Sequence, residues 1–288
     1  LPDKRYYKIL VDVAATGNMG TVLRFNSDTG NNYARRYSNT GSEGTQTSTN
    51  GLLHYGNATD DFRFIVGYIA NRSSNEKLYL GHANENLATG AATAPDRQEL
   101  AGKWSNTSNA INSITVHNNS TGDIASGSEL VVLGWDESDT HTNNFWEELA
   151  SVSGSDDVGD DFDTGTFTAK KYLWVQGWFK SDQATSTVDH RLRVGNSTID
   201  TGNNYSYRNS VSGGTDSTGT SSSFAARLEE GSMNANDEAC FFNAFIVNNA
   251  SNEKLIIAHE IDTLTGTGAA NAYQDELNML LNGRTHQT

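Results

Sequence analysis

Two halves of this sequence repeat each other, and this duplication is the strongest constraint on what the chain can fold into. The stretch FIVGYIANRSSNEKLYLGH at residues 64–82 aligns without a gap on FFNAFIVNNASNEKLIIAH at residues 241–259. The hexapeptide DTGNNY at residues 28–33 returns at residues 200–205. Self-similarity over such a distance predicts two structural units of one kind that differ by a few loop insertions.

Within each copy the hydrophobic pattern is that of β-strands. Short β-branched or aromatic stretches such as YYKILVDV, FRFIVGYIA, YLWVQGWF and KLIIAH are separated by clusters of Gly, Asn, Ser and Thr. We therefore predict an all-β protein with two tandem antiparallel β-sandwich domains of jelly-roll-like type. The predicted boundaries are residues 1–136 for the first sandwich, 137–165 for an acidic linker or lead-in, and 166–288 for the second sandwich.

The join between the copies contains TNNFWEELASV at residues 142–152. Asn144 and Glu147 have the spacing of a capping box, and Phe145, Trp146 and Leu149 would form one apolar helical face. This pattern predicts one or two helical turns in the linker. The same segment could equally lead into the first strand of the second copy.

The two copies are not complete in the same way. After its TGAANA motif the second copy has only YQDELNMLLNGRTHQT, so we expect it to lack its last strands. A sandwich without these strands exposes an edge and part of its core. Either the natural chain is longer, or neighbouring subunits supply the strands. In the second case the apolar end of this copy is the predicted assembly site, with Leu277, Leu280 and Leu281.

The repeated hexapeptide is expected to be a turn between strands rather than a binding loop. An Asp at its start can form an Asx turn, and a Gly two residues later can adopt a positive φ. The residues singled out by this motif are Asp28, Gly30 and Tyr33 in the first copy and Asp200, Gly202 and Tyr205 in the second.

The charge balance excludes some classes of partner. The chain has 35 acidic and 20 basic residues, a formal net charge of −15, so no basic footprint for nucleic acid is present. The same acidity disfavours an anionic membrane surface, and no apolar run approaches the roughly 20 residues of a membrane span. The densest acidic run, residues 153–165, offers calcium candidates in Asp156, Asp160 and Asp163. Its spacing does not match an EF-hand loop, so a solvated linker without a cofactor is favoured.

No motif points to catalysis. The sequence has no Cys/His set with zinc spacing, no phosphate-binding loop and no nucleophile elbow. We expect the recurring His82 and His259 to be hydrogen-bonding structural residues. The recurring Glu-Lys pairs are expected to be solvated ion pairs. Core packing is the predicted role of Cys240 and of the tryptophans Trp104, Trp135, Trp174 and Trp178.

The first copy resembles a β-sandwich module of tailed-phage virion proteins, common among marine phages. The module pairs an RFN.DTG.NY turn with a late Trp, an I.SI strand and a last strand that usually ends in LYGI. Here VLGWD replaces that ending, and the resemblance covers nearly all of the first copy but is looser in the second. The matching residues are Arg24, Phe25, Asn26, Asp28, Gly30, Asn32, Tyr33, Trp104, Ile111, Ile114, Gly127, Ser128, Leu133 and Gly134.

The resemblance implies a non-enzymatic virion structural protein, either a capsid decoration or a fibre or tail component. Its partners would be further copies or neighbouring subunits that share strands, and other virion proteins. The first alternative is a glycan-binding adhesin or receptor-binding module that recognises a host surface glycan. A further alternative is an extracellular filament or cell-surface building block. For a secreted glycoside-active enzyme the sequence offers only scattered carboxylates.

Overall fold

The computed structural model describes residues 1–54, 62–86, 90–139, 145–154, 162–180, 191–211, 213–223, 226–227, 239–250, 252–263 and 272–281. In these residues every regular element is a β-strand and the large sheets are antiparallel, which confirms the predicted all-β class. The arrangement is that of packed β-sandwich layers. No helix capable of crossing a membrane is found in the part of the chain that the structure describes.

The first copy is built on a seven-stranded sheet with the order β10-β1-β6-β7-β8-β3-β4, and a three-stranded sheet β5-β2-β9 covers one of its faces. Alternation of buried apolar and outward residues along the strands sets this layering. The strands are β1 (Tyr6–Ala14), β2 (Thr21–Phe25), β3 (Tyr33–Asn39), β4 (Ser42–Thr49), β5 (Leu52–His54), β6 (Phe62–Ala70), β7 (Lys77–Asn86), β8 (Asp96–Trp104), β9 (Ile114–Asn118) and β10 (Glu129–Trp135).

The second copy has a six-stranded sheet with the order β11-β18-β19-β20-β15-β16. Two small two-stranded sheets, β12-β17 and β13-β14, accompany it. The strands are β11 (Tyr172–Lys180), β12 (Arg191–Leu192), β13 (Gly195–Asn196), β14 (Thr198–Ile199), β15 (Tyr205–Val211), β16 (Ser217–Ser222), β17 (Ala226–Arg227), β18 (Ala239–Val247), β19 (Lys254–Thr263) and β20 (Ala272–Leu281).

The two large sheets are equivalent strand by strand. The order β11-β18-β19-β20-β15-β16 reproduces β1-β6-β7-β8-β3-β4, and pairings such as Phe64 with Asn84 recur as Phe241 with Ile261. A β-bulge even recurs at the same place, between Tyr33 and Arg35 in β3 and between Tyr205 and Tyr207 in β15. The duplication in the sequence is therefore a duplication of topology and register.

Two features distinguish the copies. The short hairpin β13-β14 is an insertion in the second copy, in front of its DTGNNY turn. The described residues of the second copy contain no counterpart of β9 or β10. All strand pairings of the described residues stay within residues 1–136 or within residues 166–288.

The expected helical turn in the linker is wrong for the residues that the structure describes there. Residues 145–154 are not helical, and Asn144, the expected N-cap, lies outside the described residues. Trp146 instead packs on Trp174 and Phe245 of the second copy, with ring centroids 5.6 and 6.4 Å apart. A helix of one or two turns is marginal by itself, so this packing decides the conformation.

Each copy has its own core between its large sheet and the small strands. The first core includes Ile9, Leu23 and Trp104, and the second includes Phe242, Ile246 and Ile256. Cys240 is buried as expected, and its thiol also donates to the carboxylate of Glu260, with Sγ and Oε1 3.0 Å apart.

A third core joins the copies, because the outer faces of the two large sheets pack against each other. The outer face is the face turned away from each sandwich's own core. Burial of these apolar side chains contributes on the order of 25 cal/mol per Å² removed from water. The first copy supplies Leu10, Phe62, Phe64 and Val66, and the second supplies Phe245, Val247, Leu255 and Ile257.

Buried polar contacts accompany this third core and fix the position of one copy on the other. The Asn84 side chain donates to the Ile256 carbonyl at 2.9 Å, and Arg97 pairs with Asp216 at 2.7 Å, both side chains being 4% exposed. Removing one partner of such a buried pair typically costs about 3–5 kcal/mol. The described arrangement of the two copies is therefore a specific contact and not only an apolar one.

Candidate functional site

The repeated DTGNNY turn is held by its own side chains. In the first copy Asp28 Oδ1 accepts a hydrogen bond from Gly30 N at 2.8 Å, which closes an Asx turn. Asp28 Oδ2 accepts from Asn32 Nδ2 at 2.9 Å and from the indole of Trp104 at 2.7 Å. Partial burial would raise the pKa of Asp28, but the hydrogen bonds from Trp104, Asn32 and Gly30 outweigh it and the pKa is lowered.

The tyrosine of the motif ties the turn to the strand before it. Tyr33 Oη accepts from the Phe25 amide at 2.9 Å and lies within hydrogen-bond distance of the Phe25 and Asp28 carbonyls. Tyr205 does the same with Val194 and with the Asp200 carbonyl. Burial raises the pKa of both phenols to about 12, so they remain neutral donors. These contacts make the motif a structural turn.

The glycine of the turn is needed for space and not for a positive φ, which corrects the sequence expectation. Positive φ values occur just before it, at Asn26 (53°) and Ser27 (55°). A Cβ on Gly30 would lie 2.8 Å from Asn32 Nδ2, and one on Gly202 would lie 2.8 Å from Asn204 Nδ2. A side chain at either position would have to displace the asparagine amide that bonds the aspartate of the turn, so the Asx loop favours glycine.

The acidic run does not form a metal site in the described residues. Asp156 and Asp160 lie outside them, and Asp163 Oδ1 accepts from the Gly165 amide at 2.8 Å in a local turn. No cluster of three His, Cys, Asp or Glu side chains able to hold a metal ion occurs where the structure is described. The calcium candidates therefore stay a sequence prediction.

The predicted assembly leucines lie in an inner strand of the second sheet. Leu277, Leu280 and Leu281 belong to β20, which pairs with β19 on one side and with β15 on the other. Their backbone is therefore not a free edge. Sequence reasoning did not recognise YQDELNMLL as the counterpart of the strand DRQELAGKW. The two segments have few identical residues, and their equivalence is visible only in the strand pairing.

Among the described residues β11 is instead an edge strand of the second sheet, as β16 is at the other end. In the first copy β10 pairs with β1 along Tyr6 to Asp12, so that β1 is an inner strand. Among the described residues no strand pairs with the corresponding side of β11, the equivalent of β1. An unpaired strand edge offers backbone N–H and C=O groups to another strand.

Charged residues before β1 show how such an edge is closed. Lys4 Nζ lies 2.5 Å from Asp139 and 3.5 Å from Asp136, just after β10. The Arg5 amide donates to Asp136 Oδ1 at 2.6 Å, and its guanidinium pairs with Glu137. The basic pair before β1 thus holds the acidic segment that follows β10, the strand that covers the edge of β1.

The second copy keeps this basic pair as Lys170 and Lys171. Lys170 Nζ pairs with Glu147 at 2.8 Å in a contact between exposed side chains, which is weak. Lys171 Nζ lies 3.0 Å from Asp12 and 2.9 Å from Glu129. Burial alone would lower the pKa of Lys171, but its bonds to these two carboxylates outweigh that effect, so the pKa is raised.

Of the four tryptophans expected in cores, only Trp104 is buried, and for the other three the prediction is wrong. Trp135, Trp174 and Trp178 lie on outer sheet faces and are partly exposed. Trp135 stacks on Tyr6 with ring centroids 5.6 Å apart. Aromatic side chains in strands have the same sequence pattern on either face, so only the structure separates a core ring from a surface ring.

The recurring histidines meet each other between the copies. The nearest ring nitrogens of His82 and His259 are 3.3 Å apart, which places two equivalent residues at one point of the contact. The Glu-Lys ion pairs expected from the sequence are wrong. Glu76 pairs with Lys103, whereas Glu253 is buried and accepts hydrogen bonds from Asn86 and from the Gly90 amide.

Lys8 is a contact residue that sequence reasoning missed. Its Nζ lies 3.6 Å from the centroid of the Phe245 ring and 5.1 Å from that of Trp174, in the second copy. Burial lowers the pKa of Lys8 to about 8, while the ring faces favour its charged form. The signal for this contact was a lone lysine within an apolar strand.

Comparisons with known protein families, with curated proteins and with solved structures find no significant match to this chain.

We expect the same substitution to lower the unfolding free energy by different amounts in the two DTGNNY turns. Replacing Asp28 with Ala removes the turn bonds and leaves the buried Trp104 indole without its acceptor, so we expect a loss of about 1–3 kcal/mol of unfolding free energy. Asp200→Ala is the matched control, because the position equivalent to Trp104 is Leu281 and offers no indole; about 1 kcal/mol is expected. Urea unfolding followed by tryptophan fluorescence measures both. Equal losses would show that the Trp104 bond does not matter.

Proposed function

We propose that this chain is a non-enzymatic structural protein of a virion surface, which joins other subunits by accepting a strand at the edge of β11. The observation that carries the proposal is the pairing of β10 with β1 in the first copy, set against the equivalent edge of β11, which no strand of the described residues covers. Strand addition satisfies a whole row of backbone groups at once and is a common mode of subunit assembly. The virion setting is supported by the resemblance of the first copy to phage structural modules.

The β1–β10 pair gives the chemistry of the strand that would fit. β10 reads ELVVLGW and is followed by the acidic residues Asp136, Glu137 and Asp139, which contact Lys4 and Arg5. Lys170 and Lys171 stand at the same place before β11. Lys171 already pairs with Asp12 and Glu129, whereas Lys170 makes only an exposed contact with Glu147 that a partner's carboxylate could replace. The expected partner strand is therefore apolar and β-branched, with acidic residues after it, and it would come from a neighbouring subunit.

A peptide tests this acceptor edge directly. We expect a labelled peptide of residues 128–139, SELVVLGWDESD, to bind the chain in a fluorescence anisotropy titration and to photo-crosslink to β11. A peptide of the same sequence with alternate backbone amides methylated is the matched control and should not bind, because it cannot complete the ladder. Absence of binding, or crosslinking confined to other strands, would refute strand addition at β11.

Gold labelling tests the virion setting. An antibody raised to this chain should label intact particles from a lysate or culture of its source. Label on the capsid shell would identify a decoration protein, and label on projecting fibres a fibre or tail component. Bare particles beside labelled cells or free filaments would overturn the virion proposal and favour an extracellular building block.

A glycan-binding role is the second candidate, and the exposed aromatic side chains are the observation that favours it. Trp178 is 64% exposed, and an exposed indole suits stacking on a sugar ring. Trp135 and Trp174 are partly exposed as well, but they stack on Tyr6 and Phe245. Binding of a host polysaccharide should then quench tryptophan fluorescence, and Trp178→Ala should reduce the quenching. An unchanged spectrum across a broad glycan panel would count against this candidate.

A further inference from the structure

The outer face of each large sheet has two parts. The third core contains one part from the first copy and the other part from the second copy. Face A lies toward the ends of β6 and β7 that adjoin Phe62 and Asn86, and face B toward their other ends. In the first copy face A comprises Leu10, Asp12, Phe62, Phe64, Val66 and Asn84, and face B comprises Tyr6, Tyr68, Leu78 and Leu80. The equivalent residues of the second copy are Gln176, Trp178, Ala239, Phe241, Asn243 and Ile261 for face A, and Tyr172, Phe245, Leu255 and Ile257 for face B.

Among the described residues, only one of the two possible pairings is made. Face A of the first copy packs on face B of the second copy, where Phe64 stacks on Tyr172 with ring centroids 6.1 Å apart. Leu255 and Ile257 are fully buried by this contact. A symmetric interface between equivalent sheets would bury face B of the first copy in the same way.

Face B of the first copy is open. Leu78 is 57% exposed and Leu80 is 51% exposed, although their equivalents Leu255 and Ile257 are buried. Tyr68 is exposed as well, and these side chains help to line a shallow depression of about 680 Å³. Contiguous apolar surface of this kind usually marks an interaction site.

Face A of the second copy is open too. Gln176 and Asn243 replace Leu10 and Val66 of the first copy, whereas its end row is more apolar. Trp178, Phe241 and Ile261 lie opposite one another across three adjacent strands. They are 64%, 42% and 46% exposed. The equivalent row of the first copy is Asp12, Phe64 and Asn84, whose polar members are buried and bonded to the second copy.

We propose that face B of the first copy binds face A of the second copy in another molecule of this chain. The contact between molecules would repeat the module-on-module contact that packs the copies within one molecule. Face B of the first copy lies on the same outer sheet face that the second copy already covers in part. The equivalent face B of the second copy is covered by a sheet face of this module, so a sheet face of this module is the expected partner.

The two faces differ, so the association is head to tail. Such a heterologous contact closes into a ring or grows as an open chain, depending on the rotation that relates the molecules. The net charge of −15 makes the molecules repel at long range, so added salt should strengthen the association. This inference deepens the proposed assembly role but uses sheet faces, whereas the proposed strand addition uses the edge of β11.

Complementary variants test the proposal by sedimentation velocity on the full chain. We expect the wild type to form larger species as its concentration rises through the micromolar range. Leu80→Lys and Phe241→Lys should each weaken the association by roughly tenfold or more, because each places a charge in an apolar contact. Ile199→Lys, on β14, is the matched control at an exposed apolar residue outside both faces and should behave as wild type.

Mixing the variants distinguishes head-to-tail from symmetric association. Each variant retains the face that the other has lost, so an equimolar mixture should form a species of two molecules and grow no further. A wild type that stays monomeric at all these concentrations would overturn the proposal. So would normal self-association of Phe241→Lys, since a symmetric contact through face B would explain it.

Two controls exclude misfolding as the cause and separate this contact from strand addition. Leu78→Glu and Ile261→Lys form a second pair at exposed positions and replace any variant whose circular dichroism spectrum differs from wild type. The peptide of residues 128–139 should bind Leu80→Lys as it binds wild type, because the β11 edge is unchanged. Loss of self-association with retained peptide binding would separate the face contact from strand addition.

Discussion

The packing of two equivalent sheet faces on each other is the interaction on which the rest of this structure depends. It buries Leu10, Phe64 and Val66 of one copy against Phe245 and Ile257 of the other. Without it, each copy would expose these apolar side chains on the outer face of its large sheet. The contact also determines which surfaces remain free, because the equivalent apolar residues on face B of the first copy have no such cover.

Duplication explains why the contact is possible and divergence explains why it is one-sided. The same strand order and the same bulge give both copies the same outer face, on which His82 and His259 meet. Buried polar pairs then select one position, since an unpaired Arg97 or Asp216 would be costly. We propose that the surfaces left over, the β11 edge and the two open faces, are where further subunits bind.

The sequence predicted the strands and the duplication well, because period-two apolar patterns and glycine-rich turns are local signals. It also predicted the Asx turn at Asp28, although the role of Gly30 is close packing. It failed where the structure depends on distant contacts. The short amphipathic pattern around Trp146 suits either a helical turn or a lead-in to the next strand, and tertiary packing overrides the helical turn. Exposed and core tryptophans could not be separated, because β10 and β11 carry apolar side chains on both faces, so their alternation does not mark the core face.

Amide hydrogen exchange on the isolated chain tests the central claim, that β11 is an open counterpart of the covered strand β1. Both edges of β1 are paired, with β6 and β10, whereas β11 pairs with β18 alone among the described residues. Alternate amides of β11 should therefore exchange orders of magnitude faster than the equivalent amides of β1. Equal protection of the two strands would contradict the account, since it would show that β11 is already covered.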